Sequence, residues 1–135
     1  MIATVGTRIP ERHFTIDRSQ LIRYAGASGD FNQIHWDAAA AQAAGLPDVL
    51  AHGMLTMAIA GRVLTDWMAD PGRVKDFRVR FAAPLPVPAD AETTVCCGGE
   101  VREVRDDRTA TVFLYLRHGG ADILSRAEAV VELKA

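Results

Sequence analysis

Asp30, Asn32 and His35 stand close together in the stretch Tyr24-Ala25-Gly26-Ala27-Ser28-Gly29-Asp30-Phe31-Asn32-Gln33-Ile34-His35. A carboxylate, an amide and an imidazole on one short loop can share a proton-transfer task, because the imidazole exchanges protons near neutral pH and the carboxylate serves as its partner. A second segment, Ala51-His52-Gly53-Met54, puts a glycine amide at the start of an apolar run. At a helix N-terminus such an N–H is free to meet a developing oxyanion. Together these are the parts needed for proton chemistry beside a carbonyl.

Each residue also has a plainer reading. Asp30 alone, just after a helix, is a turn former, and a lone His35 is more often a satisfied loop histidine than a catalyst. It is their joint occurrence with Ser28-Gly29 and Asn32, ahead of His52-Gly53, that favours chemistry. His52 itself is expected to position its turn or line the substrate site rather than act as a base. A metal held by Asp30, His35 and His52 is chemically conceivable, but no ligand pair has helical spacing, so no metal is expected. Met54, Met57 and Met68 read as core packing, and Tyr24 and Trp36 as core or pocket wall. His13 and His118 carry no motif.

The 135 residues, 49% of them hydrophobic, suffice for one core in a single domain spanning 1–135. A formal charge of −2 and the absence of a basic run argue against a nucleic-acid or membrane surface. Cys96 and Cys97 are adjacent, a spacing that strains any mutual disulfide, and residues 1–12 lack the apolar segment of a signal peptide. A reduced, cytoplasmic protein is expected.

The elements that must hold the loop follow from periodicity and caps. A short strand, 12–16, precedes a helix capped by Asp17, with Leu21, Ile22, Tyr24 and Ala25 on its apolar side and Gly26 and Gly29 ending it. After the loop, Asp37 caps a brief helix over 38–44 that stops at Gly45. The run 53–68 is apolar nearly all round apart from Arg62 and Asp66, which predicts a helix buried on most sides until Asp70-Pro71-Gly72. Beyond it Phe77, Val79 and Phe81 alternate with Asp76, Arg78 and Arg80, a half-buried strand, and Pro84, Pro86 and Pro88 then interrupt pairing. Strands over 93–105, with a bulge at Gly98-Gly99, 109–118 and 122–133 complete an antiparallel meander turned at Asp106-Asp107 and Gly119-Gly120. A curved sheet wrapped around one long helix, hiding its circumference, is an α+β hot-dog arrangement.

These residues resemble the MaoC-like, or type 2, enoyl hydratases and dehydratases, whose signature runs Tyr/Phe-Ala-x-x-Ser/Thr-Gly-Asp-x-Asn-Pro-Ile-His. The stretch from Tyr24 to His35 follows it, Ala51-His52-Gly53-Met54 matches the second segment of the family, and the likeness extends through Arg80-Phe81 and Ser125-Arg126-Ala127. It is nearest to the catalytic subunit of the actinobacterial (3R)-hydroxyacyl-ACP dehydratases. Gln33 stands where the family has proline, and a serine that some hydratases carry in the long helix falls at Gly61 or a near neighbour and is not carried over.

The resemblance implies a hydro-lyase without a cofactor that interconverts (3R)-hydroxyacyl and trans-2-enoyl thioesters of CoA or ACP. Asp30 and His35 would be the catalytic dyad, with His35 as base, and the Gly53 N–H would receive the oxyanion. Ser28, Asn32, His52 and Met54 would contact the substrate, with Asn32 fixing the loop or the ligand. The acyl pocket is expected between the long helix and residues 36–50. Arg78, Arg80, Arg102, Arg105 and Arg108 are candidates for a phosphate or an acidic carrier, or plain solvated surface. The competing functions are a hot-dog acyl-thioesterase and a non-catalytic acyl-binding subunit. A homodimer or larger assembly is expected, or a heterodimer with a sister hot-dog subunit.

Overall fold

A computed structural model describes residues 3–134. Strand β1, Arg8–Ile16, is longer than its alternation predicts because it extends upstream through Ile9, which is buried. Asp17 then caps α1, Arg18–Ser28, its side chain accepting the Gln20 N–H at 2.8 Å. Gly29, at φ 76°, ends the helix in the left-handed region, where a side chain would be strained. Gly26, expected to help end it, lies within α1 instead, and Ile22, expected on the buried side, is exposed. Leu21 and Ala25, one turn apart, carry the contact of α1 with the core.

Helix α2, Ala38–Ala43, starts at the Asp37 cap. Helix α3, Gly53–Met68, buries Leu55, Thr56, Ile59, Ala60, Val63, Leu64 and Met68. Its circumference is not wholly hidden: Met54, Ala58, Arg62 and Asp66, four residues apart in turn, form an open strip. Met54 therefore departs from the core role expected of it, being 57% exposed. Ala69, in the left-handed region, ends α3 ahead of a 3-10 turn at Pro71–Arg73.

Strands β2, Val74–Phe81, β3, Thr93–Val104, β4, Thr109–His118, and β5, Ala121–Glu132, join β1 in one antiparallel sheet ordered β1-β3-β4-β5-β2. Only β3, β4 and β5 run as a meander, and β1 and β2 take the two edges. Inward positions follow the predicted alternation, with Ala110, Val112, Leu114 and Leu116 on β4 facing Ala127, Ala129 and Val131 on β5 within one core around α3. Phe81, at the end of β2, breaks the pattern and is exposed.

The sheet curls through bulges, though not where glycine suggested. One extra residue lies on β1 between Ile9 and Arg12, another on β3 between Val101 and Glu103, and a third on β5 near Arg126, whose φ is 48°. Gly98 and Gly99 serve close approach instead: a Cβ on Gly99 would fall 2.1 Å from the Phe113 carbonyl oxygen, and one on Gly98 would fall 2.6 Å from the Tyr115 hydroxyl. Tyr115 crosses Gly98 to donate to Glu11 at 2.6 Å. Cys96 and Cys97 are both free, and burial pushes the Cys97 thiol up to about 12, leaving it inert. No helix among the described residues is long and apolar enough to cross a membrane.

Candidate active site

The loop after α1 is built by its own polar side chains. Ser28 Oγ accepts the Asp30 N–H at 3.1 Å, Asp30 Oδ1 accepts the Asn32 N–H at 3.2 Å, and Asn32 Oδ1 accepts the Ile34 N–H at 3.3 Å. Short polar side chains bonding the backbone two residues on make a succession of turns, and this one leads into the 3-10 turn Gln33–His35. Ser28 and Asn32 thus shape the loop that presents the Asp30 carboxylate, one of whose oxygens takes part in the same succession.

His35 is buried, and its Nδ1 lies 2.8 Å from the Leu50 carbonyl oxygen. A carbonyl only accepts, so Nδ1 carries the proton and, in the neutral ring, Nε2 keeps its lone pair. That lone pair is 3.8 Å from Asp30 Oδ2. The gap exceeds a direct hydrogen bond, so both groups keep capacity for a third one between them. Leu50 is fixed in turn, since its N–H donates to the Ile34 carbonyl at 3.0 Å and the neighbouring Ala51 N–H donates to Leu85 at 2.9 Å. Further out, Arg18 joins Asp48 at 2.7 Å and the Val87 carbonyl at 2.6 Å, tying α1 to the two segments that flank this support.

His52 lies against the pair. Its ring stacks on His35 with centroids 3.9 Å apart and planes 22° from parallel, and the Tyr24 ring meets it edge-on with centroids 4.7 Å apart. Its Nε2 donates to the Asp30 backbone carbonyl at 3.2 Å. Burial, and then the neighbouring His35, lower its pKa from the ordinary value, which favours the neutral ring. Donor atoms of Asp30, His35 and His52 come within 4.8 Å of one another. The set does not suit a metal: lone pairs lie in the ring planes, and two stacked rings cannot aim theirs at one ion while His52 Nε2 is engaged with a carbonyl.

Gly53 opens α3. Its N-cap, His52, makes no side-chain cap bond, and among the described residues no acceptor faces the Gly53 N–H. Gly53 borders a cavity of about 340 Å³ that it shares with His35, Leu50, Thr56, Phe81 and Leu85. Thr56 donates to the Gly53 carbonyl at 2.6 Å, and the Phe81 ring lies so close that a Cβ on Gly53 would stand 3.0 Å from it. The wall of this cavity corrects the expected pocket: residues 81–85 line it, while of 36–50 only Leu50 does. Met54 is exposed and does not line it, and Trp36, partly exposed, donates to the Phe31 carbonyl at 3.0 Å. Of the arginines, Arg78, Arg102 and Arg105 are engaged by Asp76, Glu100 and Glu103.

Of the residues that the sequence singles out, the fold sets Asp30 beside His35 and lines one cavity with His35 and Gly53, and it adds the Leu50 carbonyl, Thr56 and Phe81, to which the sequence reading gives no site role. Phe81 left a trace, as an aromatic at a strand end followed by a proline-rich segment. The Leu50 carbonyl left none, since every residue has one.

Known proteins carry the same architecture. The chain is 38% identical over 89 residues to 3-hydroxyacyl-thioester dehydratase X of Mycobacterium tuberculosis, an alignment covering 66% of this chain and 31% of that protein. It is 30% identical over 105 residues to the 3-oxo-4,17-pregnadiene-20-carboxyl-CoA hydratase beta subunit of the same organism, covering 78% of each. Among solved structures, a MaoC-like dehydratase superposes with a TM-score of 0.95 at 38% identity, over 98% of this chain and 41% of that one. The ChsH1-ChsH2 complex from Mycobacterium tuberculosis gives 0.86 at 26% identity over 98% and 100%, and the (R)-hydratase from A. caviae involved in PHA biosynthesis gives 0.85 at 26% identity over 97% of each. The chain spans less than half the length of the dehydratase X and of the MaoC-like dehydratase. A hot-dog fold of this connectivity, with residues 3–115 matching the family described as MaoC like domain, places the chain in the MaoC-like dehydratase family.

Proposed function

We propose that this chain catalyses the reversible hydration of trans-2-enoyl thioesters, equivalently the dehydration of (3R)-hydroxyacyl thioesters, on CoA or ACP. The observation that carries the reading is the engagement of His35 Nδ1 by Leu50, which leaves the Nε2 lone pair facing Asp30 across 3.8 Å, with His35 lining the same cavity as Gly53, whose N–H meets no acceptor among the described residues. In dehydration, Nε2 takes a proton from the α-carbon and negative charge moves onto the thioester oxygen. The Gly53 amide, at the positive end of α3, receives that charge. The imidazolium so formed lies beside the Asp30 carboxylate, which favours it electrostatically. The β-hydroxyl then leaves with a proton from the pair, giving enoyl thioester and water, and the dyad returns to its starting state. Hydration reverses each step.

We infer further that the active unit contains two hot-dog layers, either two copies of this chain or this chain with a sister subunit. Edge strands β1 and β2, and exposed Phe31, Met54 and Phe81, support this reading. So does the greater length of the dehydratase X, of which this chain spans 31%.

Incubation with crotonyl-CoA, following the enoyl-thioester absorbance, tests the activity. The expected result is loss of absorbance without release of free thiol, abolished in Asp30→Asn and His35→Ala. Free thiol would indicate a thioesterase, and no reaction with crotonyl-CoA, a longer enoyl chain or an ACP-bound one would point to a missing sister subunit or to the acyl-binding subunit.

A further inference from the structure

Resting on the dyad reading above, we infer that His52 is a positioning residue for both members of the pair, holding the Asp30 backbone through Nε2–H and the His35 ring through its face. Two contacts carry this: the 3.2 Å bond to the Asp30 carbonyl and the 3.9 Å stack on His35. They arise from one side chain, 1% exposed, so neither partner shifts without the other. Because Nε2 must carry the proton it donates, Nδ1 is the bare nitrogen, and it is buried with no hydrogen-bond partner among the described residues.

That orphan nitrogen separates function from stability. A buried acceptor without a donor destabilises the fold, whereas a phenyl ring of similar shape fills the space and leaves nothing unpaired. Core packing alone therefore favours Phe at position 52. What Phe does not supply is the N–H that secures Asp30. A ring kept neutral by burial also leaves His35 without a charged neighbour on its stacked face when it becomes an imidazolium. Asp30 and His35 are the titratable groups acting electrostatically on His52, and Tyr24 packs edge-on.

Two variants of the full chain divide the roles. His52→Phe keeps the ring and loses the donor, and His52→Gln keeps an N–H near the place of Nε2 and loses the ring. With crotonyl-CoA as probe, His52→Phe is expected to melt at or above the wild-type temperature, keep its KM and lose about a hundredfold in kcat, the size of a misplaced catalytic group. His52→Gln is expected to recover part of that loss. Wild-type kcat in His52→Phe overturns the inference, as does a fall in kcat that tracks a fall in melting temperature or appears in KM. Asp30→Asn and His35→Ala run alongside: if they are as active as wild type, or if wild type is inactive, the dyad reading fails separately. The carbonyl 13C resonance of Asp30 then decides for His52 without turnover, being displaced in His52→Phe and retained in His52→Gln. An unmoved resonance in His52→Phe overturns the inference.

Discussion

The helix N-termini of this protein fall into two kinds. At α1, Asp17 accepts the Gln20 N–H at 2.8 Å, and at α2, Asp37 accepts the N–H groups of Ala39 and Ala40 at 3.0 and 3.4 Å. Even the short turn after α3 is closed by Asp70, which takes the Gly72 N–H at 3.0 Å. At α3 the capping position holds His52, whose ring turns away to Asp30 and makes no cap bond. Capping stabilises a helix by satisfying amides that have no intrahelical acceptor. The chain applies that device where a helix only holds shape and omits it where His35 and a cavity adjoin the first amide. An unsatisfied donor would be a structural cost at α1, and at α3 it is the proposed oxyanion receptor.

The largest test of this contrast removes the proposed proton-transfer pair beside the open end. His35→Ala and Asp30→Asn should each lower kcat/KM by about a thousandfold, the range for a positioned acid or base. Circular dichroism should stay native, and steady-state kinetics on crotonyl-CoA is the check.

Next comes closing the open end chemically. Proline at the first helical position lacks the N–H yet suits the backbone, and His52, at φ −61° and ψ 133°, already has the conformation that precedes proline. A Cβ at Gly53 would press on the Phe81 ring, so the substitution is made in a Phe81→Ala background. Gly53→Pro with Phe81→Ala should fold and lose about a hundredfold in kcat relative to Phe81→Ala alone. Equal rates would exclude the amide as oxyanion donor.

Opening a closed end has a smaller effect of the other kind. Asp37→Ala should lower unfolding free energy by about 1 kcal/mol, seen as a lower urea midpoint at unchanged slope. Turnover of the folded protein should stay near wild type.

The smallest effect is a pH dependence. His52 has a folded-state pKa below the ordinary 6.5, so on acidification the unfolded chain takes its proton first. Its contribution to stability is complete above 6.5 and falls as the pH drops below that value. The melting temperature of wild type should therefore decline more steeply from about pH 7 to about pH 5 than that of His52→Phe.

Caps and turns were legible because they are local. Asp17, Asp37, Gly29 and the Gly119-Gly120 hairpin are where the residue types require them, and the β4 alternation survives unchanged in the sheet. The Gly98-Gly99 bulge was misplaced because glycine signals either a bulge or a close approach, and the Tyr115 and Phe113 atoms that decide between them belong to another strand. The alternation predicts Phe81 as an inward strand residue, whereas β2 ends there and its ring crosses to Gly53.

By itself the sequence determined the parts: which residues can move protons, where helices begin and end, and a hydrophobic pattern that only a sheet around α3 can bury. These depend on side-chain chemistry and near-neighbour geometry, which hold before the chain is compact. The tertiary structure decided how the parts are used. It alone set which His35 nitrogen is free, by bringing Leu50 to Nδ1, and lowered the pKa of His52, by burying it between Tyr24 and His35. Proton affinity and tautomer depend on desolvation and on a partner from a distant part of the chain, so they exist as properties only once the chain has folded.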